Sequence, residues 1–260
     1  MSVKAAVLMA GLCACVPPVF AQNFPARPLR IIVPYPPGGL GDIFPRALGM
    51  AAADPLGQLI VIDNRPGATQ IIGAQAAAKA TPDGYTLFFG SVTSLAINPA
   101  SRPKLPYDSL RDFAPVTLCF STPLYLLVHH SVPANSVKEL IALARARPGE
   151  LNYASGGNGT LPHIMGEMMK SAARIRLEHI PYKSTAAAIF AVTSGETSIG
   201  FGGIFAVKGL VEANKLRVLG LAAAKRNPLM PNVPTFAESG GPAIDGTGYR
   251  GLLAPAGTPR

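Results

Sequence analysis

Tryptophan is absent from the 260 residues, aromatic side chains make up only 7% of them and charged ones 14%. Binding single-stranded nucleic acid needs stacking aromatics, and tracking phosphates needs clustered cations. The net charge is +9, yet Lys and Arg are scattered and form no dense basic run. Nucleic acid is therefore not expected as a partner, and the charge supports no more than a pull on small acidic molecules. Few charges together with 48% hydrophobic residues argue against disorder and allow a sizeable core.

Enzyme signatures are missing too. There is no G-x-S-x-G elbow, no P-loop and no complete G-x-G-x-x-G. His129, His130, His163 and His179 have no metal-ligand spacing, so neither a metal nor a cofactor is expected. His163 reads as a neutral hydrogen-bonding or packing residue rather than a base. The enzyme alternative is a nucleotide-dependent α/β oxidoreductase with its phosphate loop at 38–41, against which the broken glycine fingerprint argues. A ligand sensor for a signalling kinase is a further alternative with the same binding physics.

The N-terminus reads as an export signal over residues 1–21. Lys4 precedes an apolar stretch too short to span a bilayer, and Val19-Phe20-Ala21 forms a small-x-small cleavage site. A lipoprotein box at Leu12-Cys13-Ala14-Cys15 is the alternative, disfavoured by the very short apolar stretch before Cys15. Removal of the signal leaves Cys119 within VTLCF, a packing residue rather than a reactive thiol.

What the chain does carry is two glycine-rich turns of one design. Residues 29–42 (LRIIVPYPPGGLGD) and 151–163 (LNYASGGNGTLPH) each run from a strand-like apolar segment into a helix-like one. Gly38, Gly39 and Gly41, then Gly156, Gly157 and Gly159, permit sharp turns and close approach of a ligand. The first N–H groups of a helix lack partners and sit at its positive end, so a carboxylate suits them. Asp42 stands where a helix should begin and reads as its N-cap. Ser155, Asn158 and Thr160 can donate to carboxylate oxygens without adding charge. Ser91, Thr93 and Ser94 form a third polar cluster at a strand end, where open α/β sheets bind ligands.

Strand and helix patterns alternate along the chain. Residues 30–33, 59–63 and 86–90 read as strands, with helices at 42–53 and 70–80. Two more strands are expected at 116–120 and 124–129, separated by Ser121-Thr122-Pro123. Ser136 with Glu139 forms a capping box, and Val137, Leu140, Ile141 and Ala144 share one helix face. In the helix after the second turn, Ile164, Met165, Met168, Met169 and Ala172 are expected to line one side. Strands at 177–180, 198–201 and 216–222 flank helices near 185–194 and 204–214. The rhythm implies an α/β fold of two linked lobes.

The segments YPPGGLGD (35–42), DNRPGATQIIGAQAAAKATPDGYTL (63–87), YASGGNGTLPH (153–163), HIPYKSTAAA (179–188), KLRVLGLAAAKRNPLMPNVPTFAESG (215–240) and GLLAPAGTP (251–259) carry a resemblance. In that order they resemble the Bug family, the extracytoplasmic solute receptors of tripartite tricarboxylate transporters. The resemblance implies a two-lobed periplasmic-binding-protein (Venus flytrap) architecture, type II-like. It further implies a monomeric, non-catalytic periplasmic receptor that delivers small carboxylates to the membrane components of a transporter. The implied first lobe is 22–122 with 224–260, and the second 123–223. Implied ligand contacts are Tyr35, Gly38, Gly39, Asp42, Ser91, Thr93 and Ser94 from the first lobe. From the second they are Ser155, Gly157, Asn158, Gly159 and Thr160, with Tyr182, Lys183 and Gly203 nearby. Lys183 is either a fixed cation at this site or a solvated surface lysine. The chain departs from the family in having Tyr249-Arg250 where Trp is common and in lacking an aspartate over 195–199. Family members also continue beyond Arg260, so apolar surface is expected to lie exposed on the first lobe.

Overall fold

The computed structural model describes residues 24–259, so the export-signal and lipoprotein readings, with Cys13 and Cys15, lie outside the described residues. In chain order the first half comprises β1 (Leu29–Val33), α1 (Leu40–Leu56), β2 (Ile60–Asn64), a 3₁₀ turn (Ala68–Gln70), α2 (Ile71–Ala78), β3 (Thr86–Ser91), a π-helical turn (Thr93–Ile97) and α3 (Asn98–Ser101). There follow β4 (Phe113–Val128), α4 (Val137–Ala146), β5 (Asn152–Ser155), α5 (Leu161–Ala173), β6 (Glu178–Pro181), α6 (Thr185–Thr193), β7 (Ile199–Gly203), α7 (Ile204–Glu212), β8 (Arg217–Leu221) and β9 (Thr247–Pro255).

The strands run β2-β1-β3-β9-β4-β7-β5-β6, with β8 also paired to β4. β1, β2 and β3 are parallel, as are β5, β6 and β7. Such parallel strands need helices on both faces, which is why β1 buries Ile31, Ile32 and Val33 alike. α4 forms where expected: Ser136 Oγ accepts from the Glu139 N–H at 3.1 Å, while Glu139 reaches back to the Asn135 N–H at 2.8 Å. Val137, Leu140, Ile141 and Ala144 are its buried face.

One expectation about strands is corrected. Residues 116–120 and 124–129 do not form two strands; β4 runs unbroken through Ser121-Thr122-Pro123. Antiparallel pairing carries it across, Ser121 facing Tyr249, Thr122 facing Gly248 and Pro123 facing Thr247. From Leu124 onward β4 exchanges β9 for β7 and β8, and Pro123 sits at that exchange. β9 itself, rich in glycine and bounded by proline, carries no strand signal of its own.

The buried side chains fall into separate sets. Ile32, Phe88, Phe113 and Leu253 pack on one face of the first half, and Ile31, Val33, Phe89 and Leu252 on the other. The second half has its own two, around Leu126, Tyr153, Met165 and Phe201 and around Tyr125, Leu127, Ile189 and Val207. Phe236 and Ile244 belong to the second half's core, so the segment before β9 packs there and not on the first lobe as expected. In α5 the buried stripe is Pro162, Met165, Gly166, Met169 and Ala173 rather than the expected set, because Gly166 lets the helix approach the Tyr153 ring; Met168 is 40% exposed. Met50, Leu59 and Val61 lie exposed on the outer face of the first half. Cys119 packs beside the Phe89 cluster, and burial pushes its thiol pKa up.

Candidate functional site

The first glycine turn links β1 to α1, and its shape is held from below. Gly38 has φ +90, which favours glycine. Asp42 is buried at 3% exposure, and its Oδ2 accepts the Gly38 N–H at 2.9 Å. Its Oδ1 accepts from Arg46 Nε at 3.0 Å and from Asn64 Nδ2 at 2.8 Å. Burial opposes its charge, but these donors and the Arg46 guanidinium hold its pKa below the usual value. Asp42 is not the N-cap, a place taken by Gly39. Both its oxygens are engaged within the protein, so it fixes the turn rather than facing a ligand. With the Gly38 N–H turned inward, the N–H groups of Gly39, Leu40 and Gly41 are the ones without an acceptor among the described residues. The Tyr35 ring lies over Gly41 so closely that a Cβ there would meet it at 2.5 Å.

The hydroxyl cluster at the end of β3 is largely self-satisfied. Ser94 Oγ accepts the Ser91 N–H at 3.0 Å and donates to the Ser91 carbonyl at 3.1 Å. Ser91 Oγ accepts from the Thr93 N–H and donates to Gln70 Oε1 at 2.7 Å. Of the three, only the Thr93 hydroxyl has no protein partner among the described residues.

The second turn links β5 to α5. Gly157 (φ +111) and Gly159 (φ +78) shape it, and a Cβ on Gly157 would stand 3.5 Å from the Tyr182 carbonyl. Ser155 Oγ accepts the Gly157 N–H at 3.1 Å and lies 2.6 Å from His179 Nε2, while Thr160 Oγ1 donates to the Gly157 carbonyl at 2.7 Å. His163 Nδ1 accepts the Gly159 N–H at 3.2 Å and so braces the turn. These residues brace the turn and leave the Asn158 and Leu161 N–H groups unpaired among the described residues. Beneath it, His179 stacks on Tyr153 at 4.8 Å and stands 4.4 Å from His163. Burial and the neighbouring His163 hold the His179 pKa below 6.5. Tyr182 donates to Glu196 at 2.8 Å; burial and that carboxylate push its phenol up to about 12. Lys183 is exposed on the loop before α6, and Gly203 caps α7 beside Thr122.

The two halves touch directly. Thr69 Oγ1, on the first half, donates to the Asn158 carbonyl of the second turn at 2.9 Å. Arg102 Nη2 lies 3.5 Å from the same hydroxyl. Leu161 also sits against Gly248, and Phe120 meets Phe205 edge-on at 6.2 Å. The second glycine turn therefore faces the 3₁₀ turn Ala68–Gln70 directly, which the sequence reading gave no role. Ala68, Thr69 and Gln70 all have positive φ, +46, +55 and +73, a run that non-glycine residues rarely adopt. Its only sequence signal is Pro66-Gly67 after β2. Arg102 and Arg250 were missed as well, because isolated arginines carry no pattern. No group of three or more His, Cys, Asp or Glu that could hold a metal occurs among the described residues.

The chain matches the family model described as tripartite tricarboxylate transporter family receptor over residues 44–260. Protein BugT of Bordetella pertussis is 35% identical over 253 residues, which cover 97% of this chain and 77% of that protein. A UPF0065 protein from the tcbD-tcbE intergenic region of Pseudomonas sp. (strain P51) is 35% identical over 238 residues, 91% of this chain and 70% of the relative. Among solved structures, R. palustris Rpa4515 with adipate has a TM-score of 0.86 at 34% identity, covering 91% of this chain and 79% of that one. MatC (Rpa3494) from Rhodopseudomonas palustris with bound malate has a TM-score of 0.84 at 30% identity, over 91% of this chain and 80% of that one. The expected two-lobed α/β architecture of a periplasmic binding protein is the fold observed.

Proposed function

The chain belongs to the tripartite tricarboxylate transporter receptor family, a family of solute-binding receptors, and on that premise we propose that it captures a small carboxylate between its two halves. The observation that carries this reading is the Thr69–Asn158 bond, which joins the first half to the second at the second glycine turn. In this reading the N–H groups of Gly39, Leu40 and Gly41, with Tyr35 and the Thr93 hydroxyl, meet the ligand from one side. Asn158, Gly159 and the start of α5 meet it from the other, with Lys183 at the rim. Backbone dipoles at two helix N-termini stabilise the carboxylate without a metal. Asp42, Ser91, Ser94, Ser155, Gly157 and Thr160 set the conformation of these turns; Gly38 gives its N–H to Asp42, and Tyr182 is held by Glu196. Gly203 lies at the crossover, where β4 and β9 would act as the hinge.

Adipate and malate in two similar structures support a carboxylate as the ligand class. Family membership also supports a binding protein without catalysis, exported to the periplasm, acting as a monomer and handing its ligand to membrane components. No helix among the described residues is long and apolar enough to cross a membrane. Isothermal titration calorimetry with di- and tricarboxylates, nicotinate and acidic amino acids tests the reading. Saturable binding of at least one of these acids is expected; a well-folded preparation that binds none of them overturns it.

A further inference from the structure

Arg250 lies on β9 opposite Ser91 of β3 on one side and Phe120 of β4 on the other. It thus stands at the strand ends that also carry the hydroxyl cluster, three residues from the crossover at Thr247. Its guanidinium is held between two rings, 5.4 Å from the centroid of Tyr35 and 5.4 Å from that of Phe120. The Nε is fully buried and has no hydrogen-bond partner among the described residues. No carboxylate among the described residues pairs with it.

A guanidinium cannot escape burial by losing its proton, and a buried N–H without an acceptor is costly. Ring faces offset part of this through their negative quadrupole, but they do not accept the Nε–H as a carboxylate would. The Tyr35 ring touches both partners of interest: Gly41, whose N–H is unpaired, and Arg250. One acid group at the α1 N-terminus and a second at Arg250 would flank that single ring.

Resting on the receptor reading above, we propose that Arg250 binds a second carboxylate of the ligand and so selects dianionic acids over monoanionic ones. The site then has two charge-reading parts of different kind. Backbone N–H groups grip the first carboxylate whatever chain follows it. The planar fork of Arg250 accepts only a ligand whose far end is also anionic.

The test compares succinate, glutarate and adipate with hexanoate and with adipamic acid, the half-amide of adipate, by calorimetry. The wild-type protein should bind at least one diacid about ten- to a hundredfold more tightly than hexanoate, the range expected for a hydrogen bond to a charged group. If that diacid is adipate, adipamic acid should fall by a similar factor. In Arg250→Gln the diacid should weaken by about that same factor, with hexanoate changing by less than about threefold. Arg250→Lys should recover part of the diacid preference.

Equal affinity of the wild-type protein for charged and uncharged far ends overturns the proposal even if Arg250→Gln does not fold. A lowered melting temperature with unchanged diacid affinity also overturns it and assigns Arg250 to ring packing alone. If the wild type binds none of the probes and none of the acids named under the proposed function, the receptor reading itself fails. Diacid binding that ignores Arg250 sinks only this inference.

Discussion

The hydroxyl of Thr69 donates to the backbone carbonyl of Asn158 across 2.9 Å, joining the 3₁₀ turn of one half to the glycine turn of the other. Thr69 makes this contact from a left-handed backbone at φ +55, between two further left-handed residues. A strained segment thus meets the turn proposed to hold the ligand, where strain is commonly stored.

Thr69→Ala removes the hydroxyl but keeps the backbone, and should weaken ligand binding about two- to tenfold, the worth of one neutral hydrogen bond. Thr69→Ser should retain most of the affinity. Titration calorimetry of both variants checks this, and equal behaviour of Ala and Ser would show that the contact does not hold the closed state.

Gly157→Val places a β-branched side chain at φ +111, with its Cβ 3.5 Å from the Tyr182 carbonyl. The strain acts on a surface turn, so the overall fold should persist with nearly unchanged circular dichroism. Binding should be abolished, visible as loss of any ligand-induced rise in melting temperature. Retained affinity would remove this turn from the site.

Asp42→Asn keeps the size of a buried side chain that accepts from Gly38, Arg46 and Asn64. It should destabilise the protein by about 1–3 kcal/mol, because charge-assisted bonds become weaker or are lost. The folded carboxyl has a pKa below its unfolded value of 3.8, so its stabilisation is present above about pH 4 and is lost as pH falls through the lowered value. Acid unfolding followed by circular dichroism should accordingly lose, in the variant, the part of the low-pH stability change that protonation of Asp42 contributes.

His179 likewise loses stability as pH falls, but because its neutral form is the favoured one. Its folded pKa lies below the unfolded 6.5, held there by burial and by His163, with Lys170 adding to the effect and Glu167 opposing it. The neutral ring is thus favoured in the folded protein; the stability it provides is full above about pH 6.5 and declines as pH falls through the lowered value. Melting temperature should drop between about pH 7 and pH 5, and His179→Gln should flatten that drop. An unchanged slope in the variant would assign the pH response elsewhere.

Much of the local structure was legible. The Ser136–Glu139 capping box, the buried face of α4 and the βαβ rhythm of both halves follow from neighbours in sequence, where residue type and spacing suffice. β4 was read as two strands because Ser121-Thr122-Pro123 looks like a break; only pairing with β9, distant in sequence, carries the strand through. The role of Asp42 was misread for a similar reason. Its position says helix start, but Asn64, brought in by β2, is what engages its remaining oxygen capacity.

Composition, the two glycine turns and the alternation of elements were enough to set an α/β chain with two glycine-rich strand-to-helix turns. They act through φ freedom, hydrophobic periodicity and unpaired N–H groups, which are properties of short stretches. Tertiary structure alone decided which amides remain free, which half residues 224–246 join, that Thr69 reaches Asn158 and that Arg250 lies between Tyr35 and Phe120. Those facts depend on contacts between residues far apart in the chain, and a left-handed threonine or an arginine between two rings exists only once the packing around it has formed.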